Sequence, residues 1–333
     1  MMHPTPATCL NAELECGTLP ILRVDAAGDA ARWAAEQRDA LRAAVAEHGS
    51  LLVRGLGLRD PAETEAVFRG LGTLMTEREA FAERRVYAQG VYSASKWPSN
   101  QPMCAHHELS YGVEFPSLML FACLEAATSG GATPVADAAA VLDAVPAGLV
   151  ERFERVGWLL VRNYNEDFGA SIAEAFGTDD RGAVESYCRA NAIQLEWRPD
   201  GGLCTWQRRS ALVRHPLTGR RSWFNQVAFL SEWTMNPEVR EYILDEYGED
   251  GLPFNTRFGD GDPIGADVVE LINAAYEART VREPWEPGDL MLVDNIRMAH
   301  GRDAFEGPRR VIVGMADPVR LADCAPTIDV AGG

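Results

Sequence analysis

The sequence lacks most of the features that would assign a class at a glance. No run approaches the roughly 18 apolar residues of a membrane-spanning helix. The opening stretch MMHPTPATCLNAELECG has no basic region followed by an apolar one, so no secretory signal is expected. Positive charge is in deficit, with 31 Lys and Arg against 49 Asp and Glu and a formal net charge of −18. A phosphate backbone or an anionic bilayer needs a cationic face, so nucleic acid and membrane are not expected partners. The seven cysteines, at 9, 16, 104, 123, 188, 204 and 324, form no CxxC pair. That spacing argues against a zinc ribbon or finger and suits free thiols in a reducing cytoplasm. No internal repeat, low-complexity tract or Ser/Pro-rich linker divides the chain.

What remains is 333 residues, 47% of them hydrophobic, enough to bury a sizeable core without disulfides. Residues 25–48 read as an amphipathic helix with Trp33, Leu41 and Val45 near one face and Gly49 as its stop. LLVRGL, 51–56, reads as a short buried strand, and 61–72 as a helix with Pro at its start and Gly at its end. LMLFAC, 118–123, is a strand, and GGATPVAD, 130–137, is a glycine turn running into another. Residues 138–156 and 182–192 read as helices. LCTWQRRSALVRHP and RSWFNQVAFL, joined by PLTGR, read as a hairpin over 203–230. Residues 235–280 are partly helical, and WEPGDLMLVDN and GPRRVIVGMADP supply the last strands. The expectation is one domain, 1–333, α+β with a mainly β core. Within it, 1–48 is an N-terminal segment and helix, 49–137 the first part of the core, 138–280 helical and hairpin insertions, 281–320 the closing core strands and 321–333 a tail.

Three segments carry chemistry: CAHHELSY (104–111), GGATPVAD (130–137) and DNIRMAHGRDAFEGPRRV (294–311). On an extended chain His106 and Glu108 point to the same side and can chelate one ion together, while His107 points away. His300, after the apolar strand LMLVDN and at the start of a Gly-containing turn, is the candidate third ligand. Two His and one carboxylate make the facial triad of non-haem Fe(II) oxygenases, with positions left open. A 2-oxo acid co-substrate would need a buried cation for its far carboxylate. Arg310, ten residues after His300 on the next strand, suits that task, with Arg309 facing the opposite side and Thr133 completing the hydrogen bonds. The same ligands also fit a zinc hydrolase, although no HExxH motif occurs, and the polar residues alone fit a non-catalytic β-sandwich binding module. Trp223, Asn225, Arg302 and Tyr111 are candidate substrate contacts. Five arginines between 208 and 221 (208, 209, 214, 220, 221) suggest a docking patch for an acidic carrier protein, against the alternative of a solvated hairpin face.

In their order along the chain, CAHHELSY, GGATPVAD, VRNYNEDF, RHPLTGRRSWFNQ, WEPGDLMLVDN and MAHGRDAFEGPRRV resemble the TauD/TfdA family of Fe(II)/2-oxoglutarate-dependent dioxygenases. The likeness runs from about Gly49 to Asp317 and is strongest to the SyrP-like and clavaminate-synthase-like branch, which acts on amino acids or carrier-bound aminoacyl groups. The resemblance implies a distorted jelly roll, or double-stranded β-helix, with helical insertions. It implies Fe(II), 2-oxoglutarate and O2 as cofactors, with His106, Glu108 and His300 on iron and Thr133 and Arg310 on 2-oxoglutarate. The branch usually has Asn where this chain has His107. Halogenating relatives replace the carboxylate ligand with Gly or Ala, so Glu108 favours oxygen insertion, with succinate and CO2 as co-products. Desaturation and cyclisation are further outcomes of the same chemistry. The expected partner is a small amino-acid-like molecule, free or carrier-bound.

Overall fold

A computed structural model describes residues 14–15, 19–26, 28–164 and 169–329. The first helix, Ala30–His48, starts later than its sequence pattern suggests and stops where Gly49 takes φ +87°. Ala34, Leu41 and Val45 are buried along it, and Trp33 is half-buried. Pro61–Leu71 forms as expected. Pro61 occupies the first helical position, and the Asp60 carboxylate accepts from the N–H groups of Ala62 and Glu63. The helix expected over 138–156 is instead two, Ala138–Ala144 and Ala147–Val156. Pro146 is the cause. It has no N–H for the helical ladder, and its ring keeps Val145 extended at φ −75°, ψ 134°.

Two sheets carry the architecture. In the larger, eight-stranded one, Leu290–Asp294 runs antiparallel to both Ser50–Arg54 and Glu114–Glu125, and Glu114–Glu125 pairs on its other edge with Arg310–Arg320. The smaller sheet orders Thr280–Val281, Val135–Asp137, Met298–Arg302 and Met103–His106 side by side. Side-chain alternation sorts the core. Leu118, Leu120, Ala122, Leu292 and Ile312 pack with the two N-terminal helices. Met119, Phe121, Cys123, Val311 and Val313 join Val135, Met298 and Ala299 of the smaller sheet in a second cluster. This is the distorted jelly roll with helical insertions. Among the described residues no helix is long and apolar enough to cross a membrane.

The insertions add a four-stranded sheet, Gln194–Trp197, Leu203–Arg209, Trp158–Tyr164 and Phe254–Phe258, and a short hairpin, Leu212–Arg214 with Arg221–Trp223. The strand expected to run on to Leu230 stops at Trp223. Asn225 turns the chain: its side chain donates to the Ala211 carbonyl and accepts from the N–H of Val227. Residues 224–230 then form a buried turn instead of a strand.

Candidate metal centre

His106 and His300 are paired residues on adjacent antiparallel strands, so their side chains share a face. His300 therefore sits within a strand, not at the start of a turn as its sequence context suggests. Gly301 lets the strands approach, because a Cβ there would come within 2.7 Å of the Met103 carbonyl oxygen. Glu108 lies in the turn just beyond Met103–His106. One carboxylate oxygen, Oε2, is 4.0 Å from His106 Nε2 and 3.6 Å from His300 Nε2. Two bonds of about 2.1 Å span up to about 4.2 Å, so both gaps lie within one ion's reach. All three side chains are buried.

The surroundings fix this donor set. His106 Nδ1 donates to the Cys104 carbonyl at 2.8 Å, which leaves Nε2 as a bare lone pair. Phe229 stacks on His106 at 4.4 Å, and Phe121 meets His300 edge-on at 5.0 Å. Asn295 holds Glu108 by its backbone, accepting from the Glu108 N–H and donating to its carbonyl. Arg84 Nη2 donates to the outer carboxylate oxygen, Oε1, at 3.1 Å. Burial, reinforced by the neighbouring His300, lowers His106 to about 3, keeping the imidazole neutral and ligand-competent. Burial pushes the Glu108 carboxyl up, but Arg84 and the two imidazoles outweigh it and hold it below the usual carboxylate range. Neutral imidazoles and an ionised carboxylate are the donor set a ferrous ion takes, so the residues fit the metal.

A cavity of about 40 Å³ adjoins the cluster, lined by His106, His300, Thr133, Arg302, Arg309 and Phe121 among others. Thr133 is buried on the extended stretch before Val135–Asp137, and its hydroxyl accepts from Trp285 Nε1 at 3.2 Å. The arginine there is Arg309 and not Arg310, reversing the sequence expectation. Residues 309, 311 and 313 share parity, and Val311 and Val313 line the same cavity. Arg310 is exposed at the start of its strand, opposite Glu125, and among the described residues its side chain donates to the Arg59 carbonyl. Arg309 donates to the Gly131 carbonyl at 2.9 Å, and among the described residues no carboxylate lies within 4.0 Å of it. Burial, with Arg302 nearby, lowers it to about 10. A largely buried cation that no described carboxylate touches, with Asp303 acting only at longer range, can receive an anion.

Other sequence candidates have different duties. Trp223 is fully buried against Phe153, and Asn225 is the turn-maker described above. Tyr111 is buried and donates to the Glu79 carbonyl at 2.9 Å. Arg302 does line the cavity; its Nη groups donate to the carbonyls of Trp97, Pro98 and Gln101, and its buried Nε has no partner. His107 points away from the cluster, as expected, and donates to the Asn295 carbonyl. Of the five hairpin arginines, 208, 214, 220 and 221 are exposed and 209 is not. Arg209 is fully buried on backbone carbonyls, while Arg220 and Arg221 pair with Asp137 and Glu154. The last four residues of VRNYNEDF, 165–168, lie outside the described residues. Sequence reasoning missed Asn295, Arg84 and Phe229. Asn295 was visible as the polar end of LMLVDN; Arg84 had no motif to mark it. A separate groove of about 750 Å³ beside Trp206 and Arg189 holds none of the site residues.

Comparison with known proteins agrees with this geometry. The family profile described as "Taurine catabolism dioxygenase TauD, TfdA family" matches residues 21–316. Dapdiamide synthesis protein DdaC of Enterobacter agglomerans is 36% identical over 276 residues, covering 83% of this chain and 84% of that protein. A clavaminate synthase-like protein of Arabidopsis thaliana is 29% identical over 292 residues, 84% of each. Among solved structures PvcB of Pseudomonas aeruginosa superposes with a TM-score of 0.51 at 16% identity, covering 90% of this chain and 87% of that one. PvcB is described as an Fe, alpha-ketoglutarate dependent oxygenase from an isonitrile synthetic pathway. The zinc-hydrolase and binding-module readings fall away. The chain belongs to the TauD/TfdA family of Fe(II)/2-oxoglutarate-dependent dioxygenases, in its clavaminate-synthase-like branch.

Proposed function

We propose that this dioxygenase hydroxylates an unactivated C–H bond of an amino acid or an amino-acid-derived biosynthetic intermediate, releasing succinate and CO2. His106, Glu108 and His300 hold the iron, and Thr133 with Arg309 holds the far carboxylate of 2-oxoglutarate. The observation that carries the reading is that two members of the His-Glu-His cluster line one cavity with Arg309, a cation that no described carboxylate touches. Bound iron supplies O2 activation and one-electron chemistry that side chains lack. The chain's own residues orient and exclude. Cys104 fixes the rotation of the His106 ring, Asn295 pins the Glu108 backbone, Phe229 and Phe121 pack on the imidazoles of His106 and His300, and Arg84 engages the Glu108 oxygen that faces away from the histidines.

A relative named for dapdiamide synthesis supports a biosynthetic role. Arg209 is buried and Arg220 and Arg221 are paired with carboxylates, which thins the cationic face an acidic carrier would need and supports a free small molecule. Five described cysteines are free thiols, in keeping with a cytoplasmic setting. The test is succinate release with Fe(II), 2-oxoglutarate and O2 across free and carrier-loaded amino acids, with product mass recorded. A gain of one oxygen coupled to succinate from a free amino acid supports the reading. Coupling only to a loaded carrier overturns the free-substrate part, and a mass loss of two hydrogens overturns hydroxylation.

A further inference from the structure

Behind the carboxylate ligand stands a second buried pair, Arg84 with Glu77, and burial pushes the Glu77 carboxyl up to about 7. Arg84 and Glu77 have side chains only 5% and 6% exposed, with Nε and Oε1 3.5 Å apart. Neither of those atoms has a hydrogen-bond partner. A buried ion pair normally closes to a hydrogen bond, because each orphaned polar atom otherwise carries its desolvation cost. The pair sits where two cavities meet. Arg84 lines the metal cavity, and both residues line a neighbouring cavity of about 350 Å³ together with Thr76, Ala82, Glu83 and Tyr92. Arg84 spends one donor on Glu108 and keeps the rest of its fork.

We infer that Arg84 and Glu77 form the head-group site for a free α-amino acid, Arg84 taking the carboxylate and Glu77 the ammonium. This rests on the amino-acid reading above and narrows it to the untethered zwitterion. A thioester-bound aminoacyl group has no carboxylate for Arg84. A second carboxylate of 2-oxoglutarate is a poor guest, because a dianion gains nothing from the glutamate beside it. A neutral ligand would offer the open Arg84 Nε no anion and the open Glu77 oxygen no cation. The contact with Glu108 places the head group one side chain from a metal ligand, within the reach expected of a substrate.

The test uses the anaerobic holoprotein and the weak visible band that ferrous iron and 2-oxoglutarate form together. The free amino acids, their N-acetyl forms and their carboxamides are titrated against that band in the wild type, Glu77→Gln and Arg84→Lys. At least one free amino acid is expected to perturb the wild-type band about tenfold more tightly than either blocked form. Glu77→Gln weakens that free amino acid about tenfold and leaves its N-acetyl form unmoved, and Arg84→Lys does the same with the carboxamide as the unmoved form. Blocked and free forms binding alike in the wild type would overturn the head-group site while leaving the amino-acid reading intact. So would either variant shifting half-saturation by 2-oxoglutarate instead of by the amino acid. If no form of any amino acid perturbs the band, the amino-acid reading fails and takes this site with it. If the band never forms in the wild type, the iron and 2-oxoglutarate assignment is at fault. Should Arg84→Lys lose the band by releasing Glu108, Glu77→Gln still decides, because Glu77 does not touch a ligand.

Discussion

The metal cluster and the stretch 76–84 lie side by side, but they are held by different means. His106 and His300 stand on paired strands, where backbone register sets their separation and alternation sets their direction. The stretch 76–84 has no helix or strand and depends on buried polar anchors. Glu79, at φ +56°, is its hub. Its carboxylate accepts from Tyr187 and Gln207, and its carbonyl accepts from Tyr111 and Arg162. Strand-borne sites are rigid by construction. Loop-borne ones are as rigid as their hydrogen bonds, and those bonds are chemically specific and easily lost.

The contrast breaks most sharply at a ligand. His300→Ala should cut coupled succinate formation by about a thousandfold or more, since even outer-shell partners of metal ligands cost 10–100-fold. The fold should survive, so thermal melting of the metal-free protein separates lost chemistry from lost structure. Next in size is the arginine exchange. Arg309→Ala should raise the 2-oxoglutarate KM about a hundredfold, as removing one partner of a buried charge pair does. Arg310→Ala should stay within about twofold, as exposed charges do. The reverse ranking would restore the sequence-based assignment.

Acid sharpens the comparison further. Burial lowers His107 to about 4, and its one described hydrogen bond is made by the neutral ring. The unfolded chain, with His near 6.5, takes up that proton first. The contribution is therefore complete above pH 6.5 and is lost as pH falls toward 4, up to about 3 kcal/mol. His107→Asn should flatten the slope of denaturant midpoint against pH in that window; an unchanged slope would place the acid sensitivity elsewhere. The smallest effect is expected in the loop. Glu79→Ala should cost about 2 kcal/mol in urea unfolding by leaving Tyr187 and Gln207 unpaired. It should weaken substrate more than 2-oxoglutarate, because the stretch it anchors borders the second cavity.

What could be read from the sequence followed the same divide. The three candidate ligands were visible because period-two alternation and a His-X-Glu spacing survive on a single chain. Even so, Glu108 reached its place by a turn, not by the strand geometry that singled it out. Arg309 and Arg310 could not be separated until the strand's parity was known, since a shift of one residue exchanges the faces. Trp223 and Asn225 looked like pocket residues because an aromatic–amide run on a strand fits a binding site as well as it fits a core. Asn225 instead ended the strand. Pro146 was a legible break that the apolar pattern of 138–156 outweighed. The Arg84–Glu77 pair had no spacing to announce it, because irregular backbone places side chains by tertiary contact alone.

Gly301 offers no donor to a metal, yet the distance between two of the three candidate ligands depends on the atom it lacks. Any side chain there would press on the backbone of the facing strand and pry the imidazoles apart. Ion affinity in this protein should thus respond to a bare hydrogen in the neighbouring residue, and an alanine at that position should loosen iron without altering a single donor.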